Sequence, residues 1–290
     1  MRFDQALARL FPQHSRSRLS AWVKAGRATL EGSESSPSHK VWGGEKITLA
    51  AVADPQTTAF RAQAIPIDVV YEDEHLIIIN KPAGLVVHPG SGNWDGTLLN
   101  ALLQHAPSLE QIPRAGIVHR LDKDTSGLLV VAKTLTTQTA LVRQLQEHSV
   151  TREYLAVAHG FVTHEGSVDA PIGRHKTQRT RMAIVPNGKP AITHYEPVEH
   201  LLQATLLRCR LETGRTHQIR VHLASIGHPI VGDPVYGGNR KTPLPLPFTR
   251  QALHAEKLAL THPATGRRRS WSARPPADMR KLISSLKKAL

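Results

Sequence analysis

Nine densely polar residues, His119-Arg120-Leu121-Asp122-Lys123-Asp124-Thr125-Ser126-Gly127, run straight into the apolar stretch Leu128-Leu129-Val130-Val131-Ala132. The apolar stretch reads as a buried strand, and the polar segment as a turn held at its mouth by a rigid core element. Two carboxylates, an arginine, a histidine and hydroxyls are thereby presented together at a surface. On composition alone, the simpler reading is a capped turn with Arg120 and Asp124 paired.

The rest of the chain supplies a frame for that strand. Ile67 to Tyr71 and Leu76 to Asn80 read as strands around the acidic turn Glu72-Asp73-Glu74. In Leu207-Arg208-Cys209-Arg210-Leu211-Glu212 the apolar and charged residues alternate, as in an antiparallel sheet with one wet face. Helices are expected over Thr136 to His148 and over Thr216 to Ile226, the latter capped by Thr216 and ended by Gly227 and Pro229. Strands and helices do not alternate regularly, so the class is α+β, with a mixed, mainly antiparallel sheet and flanking helices. Cys209 falls on the apolar side of its strand and reads as a core residue.

Residues 1–50 form a separate basic module. Asp4 and Ser15 are placed to cap two short helices, and the strands Ala28 to Leu30 and Lys46 to Leu49 follow. Arg16, Arg18, Lys24 and Arg27 crowd this small unit, either as a solvated helix face or as an RNA contact. Residues 51–64 lack apolar periodicity and read as a linker, leaving 65–290 as the larger domain. Lys241 to Pro247, with three prolines, reads as a stiff surface loop.

Charge narrows the partners. Lys and Arg outnumber Asp and Glu by 37 to 23, a net +14 that favours polyanions. A single cysteine rules out an intrachain disulfide, which fits a reduced cytoplasm. His88, His217, His222 and His228 match no metal-ligand spacing, so no metal is expected. No stretch approaches the roughly 18 apolar residues of a membrane span, and no membrane partner is expected.

Four motifs, in order, carry a family resemblance. His119 to Gly127 resembles the HRLDxxTSG signature of the RluA-type pseudouridine synthases. Asn80-Lys81-Pro82-Ala83-Gly84-Leu85-Val86-Val87-His88-Pro89 is similar to their upstream motif, and Arg152-Glu153-Tyr154 to their tyrosine motif. Gly214-Arg215-Thr216-His217-Gln218-Ile219-Arg220-Val221-His222-Leu223 is similar to their third. Residues 1–50 resemble an S4 RNA-binding module, with Leu30-Glu31-Gly32 where that module usually has Val-Asn-Gly.

The resemblance implies isomerisation of uridine to pseudouridine in RNA by base flipping, without a cofactor. The implied substrate is large-subunit (23S) rRNA, free or in an assembling large subunit, at the clustered uridines of the intersubunit stem-loop. Another rRNA site or tRNA is the alternative, and a non-catalytic RNA-binding assembly factor is a third reading. Asp122 is the implied nucleophile, and an aspartate of ordinary pKa, about 3.9, is ionised at neutral pH.

A buried carboxylate needs a positive partner, and Arg215 is expected to supply it beside the start of the Thr216 helix, with Arg220 a second choice. Tyr154 is expected to stack on the flipped uracil near the proton that leaves. On the substrate side stand Arg120, which could fill the vacated stack, His119 supporting it, and Lys81, more simply a brace of the loop. Arg174, Lys176, Arg179 and Arg181 are expected on phosphates, and the chain is expected to act as a monomer.

Overall fold

Every residue of β6 (Ser126–Ala132) is buried. In the computed structural model that strand lies inside a sheet covered on both faces. The structure describes residues 1–12, 14–50, 60–90, 92–178, 180–238 and 247–288, without the side chains of Arg18 and Lys288. Most of the expected linker (51–59) and of the proline loop (241–246) lies outside the described residues, as does Arg179. The chain divides into two units, Met1–Thr58 and Ala59–Leu290.

In the first unit α1 (Phe3–Leu10) and α2 (Arg16–Lys24) precede three short strands, β1 (Ala28–Leu30), β2 (Ser33–Glu34) and β3 (Ile47–Leu49), in the order β2-β1-β3. Phe3, Leu7, Leu19, Val23, Ala28 and Val41 make its core. Asp4 does not cap α1. Arg2 holds the cap position, and Asp4 sits buried in the first turn, where it accepts hydrogen bonds from Arg2 and Arg16. Burial works against the Asp4 charge, yet these two arginines hold its pKa below the usual value.

The second unit is built on a nine-stranded sheet among the described residues. Its strands are β4 (Val69–Glu72), β5 (Leu76–Lys81), β6, β7 (Thr151–His159), β8 (Gly166–Asp169), β11 (Ile192–Leu201), β12 (Ala204–Leu211), β13 (Leu253–Thr261) and β14 (Arg268–Ser272). They lie in the order β4-β5-β6-β13-β7-β12-β11-β8, with β14 paired to β13. Only β6 and β13 run parallel among the pairs described, and β13 joins two antiparallel half-sheets. A separate hairpin pairs β9 (Ile172–Arg174) with β10 (Met182–Ile184).

Alternation explains the layering. Ile77, Ile79, Leu129, Val131, Tyr154 and Ala156 share one buried cluster with α3 (Leu98–His105), α5 (Gln218–Ser225) and α6 (Ala277–Lys288). Leu76, Ile78, Leu128, Val130, Leu258 and Leu260 point the other way, against Leu141 of α4 (Leu135–Gln146). Cys209 lies on the first face, and burial pushes its thiol pKa up to about 12.

The entry to β6 explains Gly127. Its φ is +113°, and a Cβ there would run into the Ala255 backbone of the parallel neighbour. No helix among the described residues is long and apolar enough to cross a membrane.

Candidate active site

Asp122 lies in the turn just before β6, where its carbonyl accepts the Thr125 amide. Side chains from both half-sheets fix the same turn. Lys81, at the end of β5, is fully buried and donates to the carbonyls of Pro82, Leu85 and Lys123 at 2.8–2.9 Å. Arg250 donates to the Asp124 carbonyl, and Gln251 to Thr125 Oγ1, from the approach to β13.

The three N–H groups of a lysine ammonium match three acceptors, so Lys81 ties the Pro82–Leu85 loop to the Asp122 turn. Burial pulls its pKa down to about 7, against the fields of Asp124 and Asp122. With all its donors committed, Lys81 is a brace and not a substrate contact.

The cation that meets Asp122 is Arg220. Its Nη1 lies 2.9 Å from Asp122 Oδ2, while Nε and Nη2 grip Asp233 at 2.7 and 3.0 Å. Asp233 Oδ1 also accepts the amides of Val235 and Tyr236. Burial opposes ionisation of both members, yet their mutual bonds raise the Arg220 pKa and lower that of Asp233. Asp122 Oδ2 is thus committed, whereas Oδ1 has no hydrogen-bond partner among the described residues.

The expectation that Arg215 is this partner is corrected. Arg215 Nε donates instead to the Pro190 carbonyl at 3.0 Å. The helix starts later than Thr216, at Gln218, because His217 adopts a left-handed backbone with φ 58°. Gln218 Oε1 then caps the turn by accepting the Arg215 amide and the Thr213 hydroxyl. Arg215 thus bonds a loop carbonyl ahead of the helix, while Arg220, inside it, reaches the carboxylate.

Tyr154 lies on β7, 6% exposed, among the core residues of the first face. Burial raises its pKa, the charge of Arg152 lowers it, and that of Asp122 raises it. His119 is corrected from a substrate contact to a structural one. Its Nε2 accepts the Val130 amide, and burial together with Arg152 drops its pKa to about 3, so the ring is neutral. Arg120 is exposed, and its charge reaches His217.

In the first unit Lys24 and Arg27 are exposed, and Arg16 is half exposed while bonded to Asp4. The Arg18 side chain lies outside the described residues.

Four residues given no role from sequence belong to this site. Asp233 anchors Arg220. Tyr236 lies under the guanidinium groups of Arg220 and Arg181, 5.1 and 5.3 Å from its ring centre. His217 bonds the Tyr236 hydroxyl at 2.9 Å and faces Asp122. Arg152 is buried, donates to the Glu212 carbonyl, and adds positive charge beside Tyr154 and Arg215. Asp233-Pro234 was the available signal: an aspartate before a proline commonly opens a turn in which its oxygens accept backbone amides.

Known proteins resemble this chain over much of its length. The family model described as RNA pseudouridylate synthase matches residues 75–225. Ribosomal large subunit pseudouridine synthase D of Nitrosomonas europaea is 56% identical, over 99% of this chain and 85% of its own. The protein of the same name in Escherichia coli strain K12 is 54% identical, over 99% and 90%. Among solved structures, human RNA pseudouridylate synthase domain containing 1 superposes with a TM-score of 0.61 at 28% identity, over 78% of this chain and 90% of its own.

Proposed function

The chain belongs to the RNA pseudouridylate synthase family, and on that premise we propose that it isomerises uridine to pseudouridine in large-subunit rRNA with Asp122 as the reacting carboxylate. The substrate follows from the relatives named for the large ribosomal subunit, which match nearly the whole chain. The clustered uridines of the intersubunit stem-loop are the proposed target. The net charge of +14 suits a phosphate-rich partner.

The reaction breaks the N1–C1′ bond, turns the base, joins C5 to C1′, and removes the proton from C5 while N1 takes one up. It changes no net composition. The observation that carries the assignment is the division of labour on Asp122, with Oδ2 held by Arg220 and Oδ1 left to meet the nucleoside. Arg220 is in turn held by Asp233, so the carboxylate is fixed before substrate arrives, which lowers the reorganisation the reaction requires.

Tyr154 supplies a ring for stacking and a hydroxyl near the pyrimidine, and Arg120 is the exposed cation beside the turn that can occupy the space of the extruded base. Arg215 is proposed as a phosphate contact at the rim. The first unit is proposed as an S4-like RNA-binding module acting through Arg16, Arg18, Lys24 and Arg27.

The test is Asp122→Asn in the full chain, assayed on transcribed large-subunit rRNA by carbodiimide-blocked primer extension. Pseudouridine formation is lost, while rRNA affinity stays within about tenfold, because the carboxylate contributes to the transition state and little to phosphate binding. Retained turnover would reject Asp122 as the reacting group.

A further inference from the structure

Two atoms of the site have no hydrogen-bond partner among the described residues, the Oδ1 of Asp122 and the Nε2 of His217, and they lie 3.9 Å apart. That is too far for a direct hydrogen bond. Both side chains are partly open, at 19% for His217 and 15% for Asp122. What can sit between them depends on which ring nitrogen carries the proton.

The hydrogen-bond chain behind His217 favours one tautomer. The Met182 amide donates to the Tyr236 hydroxyl oxygen at 2.8 Å, and His217 Nδ1, 2.9 Å away, is the acceptor that the described residues offer the phenolic proton. Burial lowers the His217 pKa, against the field of Asp122, so the ring is neutral and its single proton is on Nε2. The gap is therefore flanked by a donor, Nε2–H, and an acceptor, Oδ1. A left-handed backbone at His217 and the Tyr236 bond hold the donor in that direction.

A group bridging them must accept from one and donate to the other. A carbonyl only accepts and a ring N–H only donates, so no polar atom of uracil does both. A hydroxyl does. Within an RNA chain the 3′ and 5′ oxygens are esterified, and the ribose 2′-hydroxyl is the one hydroxyl a nucleotide retains. We propose that His217 and Asp122 together bind the 2′-hydroxyl of the target nucleotide, His217 donating to it and Asp122 Oδ1 accepting from it. His217 is then a specificity residue that restricts the reaction to ribonucleotides and sets the sugar against the reacting carboxylate.

This inference rests on the functional reading above, and its test separates the two. The full chain is first assayed on transcribed large-subunit rRNA to locate the isomerised uridine. A synthetic stem-loop is then made with uridine or 2′-deoxyuridine at that position. The wild-type chain turns over the deoxy substrate at least about tenfold more slowly, as expected when a polar site loses the hydroxyl it is built to bind.

His217→Asn suits the left-handed backbone but is too short to reach. It loses a similar factor on the ribose substrate and little more on the deoxy one. A merely structural role would lower both rates alike and keep the wild-type ratio. Tyr236→Phe, which keeps the ring under Arg220 and Arg181 but removes the orienting proton, reduces the ratio as well and serves if His217→Asn does not fold.

Absence of any isomerised uridine overturns the functional reading and this inference with it. Equal wild-type rates on the two sugars, or an undiminished ratio in a folded His217→Asn or Tyr236→Phe chain, overturns the inference alone.

Discussion

Asp122 and Arg220 stand 98 residues apart in the chain, yet 2.9 Å separates Oδ2 of one from Nη1 of the other. The guanidinium bridges two carboxylates of unequal setting. Asp233 is sealed from solvent and bonded on both oxygens, whereas Asp122 is partly open and bonded on one. One cation thus serves as a structural ion pair and as the partner of the carboxylate proposed to react.

Removing that cation separates the two roles. Arg220→Met leaves Asp233 buried without its partner and destabilises the second unit by about 3–5 kcal/mol in urea unfolding of the full chain. Adding Asp233→Leu recovers much of that loss while activity stays absent. Recovery of turnover in the double variant would show that Arg220 matters to the fold alone.

Lys81→Met removes three donors at once, strands the carbonyls of Pro82 and Leu85, and leaves that of Lys123 with the Gly84 amide alone. The expected cost is about 2–4 kcal/mol. The Gly84 amide, bonded to the Lys123 carbonyl across the same loop, exchanges its hydrogen faster in the variant. Unchanged exchange at Gly84 would remove Lys81 from its bracing role.

Acid sensitivity follows from His119. Its pKa is about 3 in the fold against an ordinary 6.5, so between those values the unfolded chain binds the extra proton. Stability from this group is therefore complete above pH 6.5 and falls as pH drops towards 3. His119→Gln keeps an acceptor for the Val130 amide but does not titrate. Denaturant midpoints measured from pH 7 to 4 fall less steeply for the variant than for the wild type.

Deleting residues 1–58 weakens rRNA binding and leaves turnover on a short stem-loop in place. The plot of log affinity against log salt becomes shallower by roughly 0.7–0.9 for each phosphate that the deleted unit neutralises in the full chain. An unchanged slope would place Arg16, Arg18, Lys24 and Arg27 outside the RNA interface.

The strands of the second unit were legible because burial writes itself into the sequence as runs and alternations. The run at Ile77 to Ile79 and the alternation at Leu207 to Glu212 both match the sheet observed. The partner of Asp122 was hidden. Helical spacing cannot show that His217 adopts a positive φ, nor which of Arg215 and Arg220 reaches Asp122. Nor can local pattern reveal that Leu253–Thr261 enters between β6 and β7, since the partners lie about a hundred residues or more away in the chain.

The placement of β13 bears on how the protein is made. Until Leu253–Thr261 has left the ribosome, the strand carrying Tyr154 and the strand that follows Asp122 have no neighbour to join them, so the proposed site is not yet brought together. In that interval two strand edges lie unpaired and open to wrong partners, a hazard of late, long-range closure. Chain order therefore puts the closing strand well after the motifs of the proposed site.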